Sequence, residues 1–270
     1  MTKRIIVPTD FSKAAAAAIT QAIMIARKSA SAITLFHVLN EKAEKMAIVS
    51  DKLKAQAATI HKDSGIVCEV VVKEGGLLES IESVVSERQF DLMVIGTHGF
   101  MGIRQKLFGA DILKLVARLP LPVLVVQKDS PVADPFRKVI LPISSHDNFS
   151  RAVDAILLFA GMYDIEVHLY SIQKPGFEWN DQMLANISYA TKTFEEKGVR
   201  MVRIREDQEG SSYGYARQTL KYAHGAGADV MCMMSVASRE YYSFARAYKE
   251  TVLLNEFCLP VLCAGGGSGD

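Results

Sequence analysis

The feature that most constrains this chain is that it states one plan twice. Arg4-Ile5-Ile6-Val7-Pro8 returns 134 positions later as Lys138-Val139-Ile140-Leu141-Pro142, and Ile33-Thr34-Leu35-Phe36-His37-Val38 returns at the same offset as Val167-His168-Leu169-Tyr170-Ser171-Ile172. Phe90-Asp91-Leu92-Met93-Val94-Ile95 is matched by Ala228-Asp229-Val230-Met231-Cys232-Met233 at an offset of 138. Leu121-Pro122-Val123-Leu124-Val125 and Leu259-Pro260-Val261-Leu262-Cys263 repeat at that second offset. Solenoid and propeller units run to roughly 20–50 residues, so a period this long is a duplicated domain. The 270 residues divide into units at 1–130 and 136–264, with a glycine-rich tail at 265–270. Between the units, residues 128–135 are polar and proline-containing, as linkers tend to be.

Within each unit, short apolar strands alternate with amphipathic helices. In the first, strands are expected at Ile5–Pro8, Ile33–Leu39, Val67–Val72, Leu92–Ile95 and Val123–Gln127. Ser12 is a good N-cap for a helix that places Ala15, Ala18, Ile19, Ala22 and Ala26 on one face. A second helix carries a stripe of Met46, Val49, Leu53 and Ile60, a third carries Leu78, Ile81, Val84 and Val85, and a fourth runs from about Gly109 to Arg118. Continuous apolar strands separated by helices mean a parallel sheet covered on both faces. The fold class is therefore α/β, with two tandem doubly wound parallel-sheet domains. Ligands in such sheets bind at the carboxyl ends of the strands, where the strand order reverses.

Composition narrows the function classes. With 31 Lys and Arg against 30 Asp and Glu, the chain has no electrostatic case for nucleic acid. No apolar run approaches the roughly 20 residues that cross a bilayer, and the start lacks a signal peptide's apolar stretch and cleavage site. Cys68, Cys232, Cys258 and Cys263 include no C-x-x-C pair, and the scattered histidines form no H-E-x-x-H. We expect a cytoplasmic protein with reduced cysteines, no membrane partner and no metal site.

The strand ends carry the chemistry. Pro8-Thr9-Asp10-Phe11-Ser12 follows strand 1, and Gly96-Thr97-His98-Gly99 opens a long stretch after strand 4 that reaches the next helix at Gly109-Ala110. Glycines before a helix let backbone approach a ligand, and free amides at the helix start favour an anion. The spacing is neither a Walker loop nor the dinucleotide G-x-G-x-x-G, and glycines also serve simply to turn a loop. No Ser/His/Asp or Cys/His catalytic constellation assembles from the spacing.

These segments, with Leu35-Phe36-His37-Val38 and the closing Leu121 to Val126, resemble the universal stress protein family over both halves of the chain. The resemblance implies a Rossmann-like fold of the adenine nucleotide alpha hydrolase type, with two domains paired as a pseudo-twofold dimer inside one chain. It implies ATP or another adenine nucleotide as ligand, through the family pattern G-x2-G-x9-G-[S/T]. Gly96, Gly99 and Gly109 keep that spacing. By the same resemblance, Asp10 and Val38 would line the adenine and ribose pocket, Gly96 to Gly99 (with His98) and Gly109 onward (with Ala110) would hold phosphates, and Pro8, Thr9 and Ile95 belong to the same cofactor-binding set. The departures are Ala110, where the pattern has a hydroxyl, and Ile112, where a second hydroxyl is common. Two hydrogen bonds of about 0.5–1.5 kcal/mol each are then missing, and the site is expected to be weakened.

The second half does not keep the cradle. Met234, Ala237 and Ala247 stand at the three glycine positions, and Ser144 stands at that of Asp10. Tyr241, Tyr242, Phe244 and Tyr248 occupy the replaced segment, with Tyr213, Tyr215 and Tyr222 upstream. They either fill the degenerate site and pack internally or form a ligand or partner surface. The halves also differ in charge, with 17 basic against 14 acidic residues in 1–134 and 14 against 16 beyond. Three readings follow. The first is a stress-response binding and signalling protein with a weakened nucleotide site. The second is a slow ATP hydrolase at the Gly96–Gly109 loop, with Asp10 positioning a metal. The third is a nucleotide-free interaction module built on the second-half aromatics, and a homodimer of chains is compatible with each.

Overall fold

The computed structural model describes residues 3–39, 46–97, 109–132, 134–173, 176, 178–209, 215–235 and 242–266. Its first half runs β1 (Arg4–Pro8), α1 (Lys13–Ser29), β2 (Ala32–Leu39), α2 (Met46–Ser64), β3 (Cys68–Glu74), α3 (Leu77–Glu87), β4 (Leu92–Thr97), α4 (Gly109–Arg118) and β5 (Val123–Gln127). Its second runs β6 (Lys138–Pro142), α5 (Ser150–Ala160), β7 (Glu166–Gln173), α6 (Asp181–Glu196), β8 (Arg200–Asp207), α7 (Tyr215–Gly225), β9 (Val230–Met234), α8 (Tyr242–Leu253) and β10 (Val261–Ala264).

All ten strands form one sheet, in the order β3-β2-β1-β4-β5-β10-β9-β6-β7-β8. Each half is parallel and doubly wound, and the two halves join where β5 and β10 run antiparallel. At that seam Val125 faces Val261, Leu124 faces Leu262, and Val123 faces Cys263. Shifting each residue by 138 maps this set of pairs onto itself, so the Leu124–Leu262 pair lies on the pseudo-twofold axis. The repeat seen in the sequence is thus also the symmetry of the sheet.

Alternation along the strands sends side chains into two apolar layers. One lies under α1, α2, α5 and α6 and includes Ile5, Val7, Leu124, Val139 and Leu262. The other lies under α3, α4, α7 and α8 and includes Ile6, Met93, Val123, Ile140 and Val261. Ser12 caps α1, its Oγ accepting the Ala15 amide at 3.2 Å. Ala14, Ala15, Ala18, Ala22 and Ala26 are buried, so small side chains bring the helix backbone close to the sheet. Two expectations need correction. Met46 is 40% exposed and Val67 is 59% exposed. Met46 begins α2 ahead of its buried stripe, and Val67 precedes an edge strand that pairs with β2 alone.

β4 extends two residues further than expected, so Gly96 and Thr97 are ladder residues opposite Val126 and Gln127. The backbone of α1 fills the space beside Gly96. A methyl there would meet the Ala14 carbonyl and stand 2.8 Å from the Ala15 nitrogen. The absent side chain therefore serves helix packing.

Polar groups close the seam asymmetrically. On one side, buried Gln127 donates from Nε2 to the Asn255 carbonyl at 2.8 Å, and Ser130 Oγ donates to the Cys258 carbonyl at 2.6 Å. Asn255 in turn holds the Val252 and Leu259 carbonyls and the Leu259 amide, each at 2.9 Å. The position related to Gln127 on the other side is Gly265, where a methyl would stand 2.6 Å from the Leu119 carbonyl. Here one connector reaches across with a side chain, while the other lies directly against the chain.

Gly96→Ala and Gly265→Ala should each cost about 1–3 kcal/mol or more, because backbone rather than a movable side chain blocks the added methyl. Gly225→Ala, with open space around it, should be near neutral. Urea melts of the three variants check this, and wild-type midpoints for the first two would show that the close approaches are absent.

Candidate functional site

The strand order reverses between β1 and β4 in the first half and between β6 and β9 in the second. Each reversal opens a crevice at the carboxyl ends of the strands, since the helices that follow leave to opposite faces.

In the first crevice the turn after β1 is tightly organised. Thr9 Oγ1 accepts the Phe11 amide at 3.1 Å, and Asp10 Oδ1 accepts the Ser12 amide at 2.9 Å. Phe11 has a φ of +62° and places its ring 5.1 Å from that of His37. The Lys52 ammonium stands 3.8 Å over the other ring, that of Phe11. His37 is buried, with Nδ1 2.7 Å from the Thr9 carbonyl. Its imidazole braces the turn. Asp10 is exposed at the rim.

The structure brings Pro8, Thr9 and Asp10 on β1 and its turn to the same rim as Ile95 and Gly96 at the end of β4, with Val38 on the far side of β1. Ile95 is a core residue at 1% exposure, packed toward α3 and α4. Gly109 and Ala110 open α4. His98 and Gly99 lie outside the described residues. Ile112 is fully buried in the layer under α4, so position 112 points into the core. This corrects one expectation, because a hydroxyl there would not reach the rim, and Ala110 is the departure that bears on a ligand.

Thr97 was not foreseen as a site residue. It is 1% exposed, and its Oγ1 is a buried hydroxyl with no hydrogen-bond partner among the described residues. Burying a hydroxyl unpaired costs about 1–3 kcal/mol. A lone threonine after a glycine carries no sequence signal of this.

The aromatics of the second half sit largely inside it. Tyr222 on α7 stacks on Tyr170 of β7 with centroids 4.7 Å apart. The Tyr222 hydroxyl meets His168 Nδ1 at 2.6 Å, and His168 Nε2 meets Glu166 Oε1 at 2.8 Å. A neutral imidazole protonated on Nε2 satisfies both contacts. Tyr170 donates to Glu206 Oε2 at 2.6 Å, and burial together with that carboxylate pushes its phenol well up. Tyr215 donates to Gln208 at 2.9 Å. Tyr248 of α8 packs partly buried against the apolar layer, and burial pushes its phenol up to about 12. Tyr213, Tyr241 and the side chains of Tyr242 and Phe244 lie outside the described residues.

A doubly wound parallel sheet with its strand order reversing beside a glycine-bearing rim defines an α/β fold of the Rossmann-like class. Residues 1–127 match the model of the Universal stress protein family. The whole chain, with its repeated sheet, fits a tandem arrangement of that family. Its fold resembles that of a universal stress protein from Archaeoglobus fulgidus DSM 4304, with 14% identity, a TM-score of 0.75 and 98% of each chain covered. A functionally unknown protein from Pseudomonas aeruginosa PAO1 is 17% identical, with a TM-score of 0.60 over 98% of this chain and 93% of that one. No curated protein matches the chain. No helix among the described residues is long and apolar enough to cross a membrane.

The hydrogen bond from His168 holds the Glu166 carboxyl below its usual 4.5. A carboxylate lowered in the folded state stabilises above the unfolded value, and that contribution is lost as pH falls through the folded one. Glu166→Gln should therefore be less stable than wild type at pH 7, with a smaller gap at an acid pH below the ordinary carboxylate range. Urea melts at both pH values check it, and a gap that persists in acid would show that the charge is not the cause.

Proposed function

We propose that the chain is a cytoplasmic universal stress protein that acts by binding and signalling, not by turnover, and that its first crevice takes an adenine nucleotide with reduced affinity. The observation that carries this reading is the placement of the glycine pattern. Gly96 lies in the last two residues of β4 at the switch point, on the same rim as Asp10, and Gly109 opens α4. Helix-start amides suit phosphate, and the buried Thr97 hydroxyl supplies a further polar group at the base. The missing hydroxyl at Ala110 weakens the site without blocking it. Two sheet halves paired inside one chain provide the dimer, and ligand occupancy at the rim would bias partner choice.

Calorimetry with ATP, ADP and AMP tests this. Ala110→Ser should tighten ATP by about 2- to 10-fold, the worth of one restored hydrogen bond, and Asp10→Ala should weaken it. No heat at millimolar nucleotide, for wild type and Ala110→Ser alike, would end the nucleotide reading. Native mass spectrometry of the purified chain reads oligomeric state and retained nucleotide together.

A further inference from the structure

The outer edge of the second half has changed its chemistry relative to that of the first. Val167 pairs with Met201 as its repeat partner Ile33 pairs with Cys68, so Arg203 and Arg205 stand on β8 where Val70 and Val72 stand on β3. Two apolar positions on the helix-covered face of an edge strand have thus become cations. Beside them, the chain's one tryptophan, Trp179, precedes the Asn180 cap of α6.

These changes meet in a groove of about 410 Å³ between α6 and β8, where Trp179, Leu184, Ile187, Ser188 and Arg203 are among the lining residues. The groove at the matching place in the first half has about the same volume, 410 Å³, but Val70, Ala57 and Ala58 line it, with no tryptophan or arginine. Two contacts fix the register of the second groove's walls. The Arg205 guanidinium stands 5.5 Å from the centre of the Trp179 ring, and Thr191 Oγ1 lies 4.0 Å from Met201 Sδ. Arg203 falls midway between these contacts and, by strand alternation, on the same face of β8. What holds each arginine differs. Arg200 pairs with Asp164 at 3.3 Å and Arg205 lies over Trp179, whereas Arg203 has no hydrogen bond or ion pair among the described residues. Lys192 adds a second cation to the lining, in an exposed pair with Glu196 at 3.8 Å. Glu195 lines the groove as well, but it lies seven residues along α6 from Ser188, roughly 10 Å at the helical rise. The opposite end is apolar: Ile187 is buried, Leu184 is 49% exposed, and the Trp179 ring packs against the apolar layer. Trp179 Nε1 is shielded from solvent with no hydrogen-bond partner among the described residues. Two donors on one groove, the Arg203 guanidinium and the Trp179 indole, therefore lack an acceptor there.

We infer that this groove binds a small amphipathic carboxylate, its acid group on the Arg203 guanidinium and its apolar body along Leu184, Ile187 and the Trp179 ring. A guanidinium fork matches the two oxygens of a carboxylate and balances its single charge. The ligand is amphipathic because an exposed leucine and an aromatic ring adjoin that cation in one groove, the mixture of apolar lining and few polar anchors that small-molecule sites share. A cation on the inward face of an edge strand also deters pairing with another chain. That role needs the charge of Arg203 but no ligand, so the two separate in the test. The groove sits at the β8 edge of the sheet, outside both crevices, and the inference stands independently of the nucleotide reading of the first.

Trp179 makes the test direct, because all tryptophan emission of the chain comes from this groove. Titrating the full chain with sodium octanoate, at ionic strength held constant with chloride, should change that emission saturably, with a dissociation constant of about a millimolar or below. Octanamide, which keeps the apolar body and loses the charge, should bind at least about tenfold more weakly, and sodium acetate should leave the emission unchanged. Arg203→Gln should lose about tenfold in affinity for octanoate, and Leu184→Ser several-fold. Both side chains are exposed, so both variants should melt at the wild-type temperature, and lost binding is then not lost folding. ATP titration, which reports on the first crevice, should be unchanged in both. No saturable change with octanoate at tens of millimolar would leave Arg203 with edge protection alone and overturn the inference. Equal binding of octanamide, or undiminished octanoate binding by Arg203→Gln, overturns it as well.

Discussion

The antiparallel pairing of β5 with β10 is the constraint on which the rest of this structure depends. It joins two five-stranded sheets into one and turns what would be a dimer interface into part of a continuous core. β5 would otherwise be an unpaired apolar edge, with its five residues all buried in the joined sheet. Such an edge invites association with other chains. Pairing it within the chain leaves β3 and β8 as the outer edges. Those edges carry charges, among them Glu69, Lys73 and Glu74 on one and Arg200, Arg203 and Arg205 on the other, which is how exposed edges resist unwanted pairing.

The seam also explains why the repeat is imperfect where it matters. Two identical domains meeting on a twofold axis must place identical side chains on both sides of it. A covalently joined pair is free of that requirement. Gln127 reaches the α8–β10 connector, and its counterpart Gly265 makes room for the α4–β5 connector. The connector that receives Gln127 is longer by three residues, and Asn255 satisfies its backbone groups. Packing of α4 on α8 completes the closure on the same face.

Much of this architecture was legible in the sequence, because period and burial are one-dimensional signals. The alanine face of α1, the five apolar strands and the duplicated register at offset 138 all follow from patterning. Less legible were properties that arise from contact between distant residues. Gly96 reads as a loop glycine, yet its bare Cα is required by Ala14 and Ala15 some 80 positions earlier. Ile112 reads as a lost hydroxyl, yet it is a core side chain. Tyr170 and Tyr222 read equally as surface or core until the stack and the His168–Glu166 chain assign them to the interior. Lys249 on α8 is buried, which nothing in its local sequence encodes.

Divergence between the two crevices follows from where each residue's obligations lie. Strand residues must fill both apolar layers, and so the halves retain Ile, Val, Leu and Met along β1, β4, β6 and β9. Residues just beyond the strand ends have no layer to fill. Asp10 can therefore give way to Ser144 in the second half without disturbing the sheet. Gly96 is the exception, since it belongs both to the rim and to the α1 contact. Its replacement by Met234 in the second half puts a side chain into the layer under α5, where the first half sets bare backbone against α1.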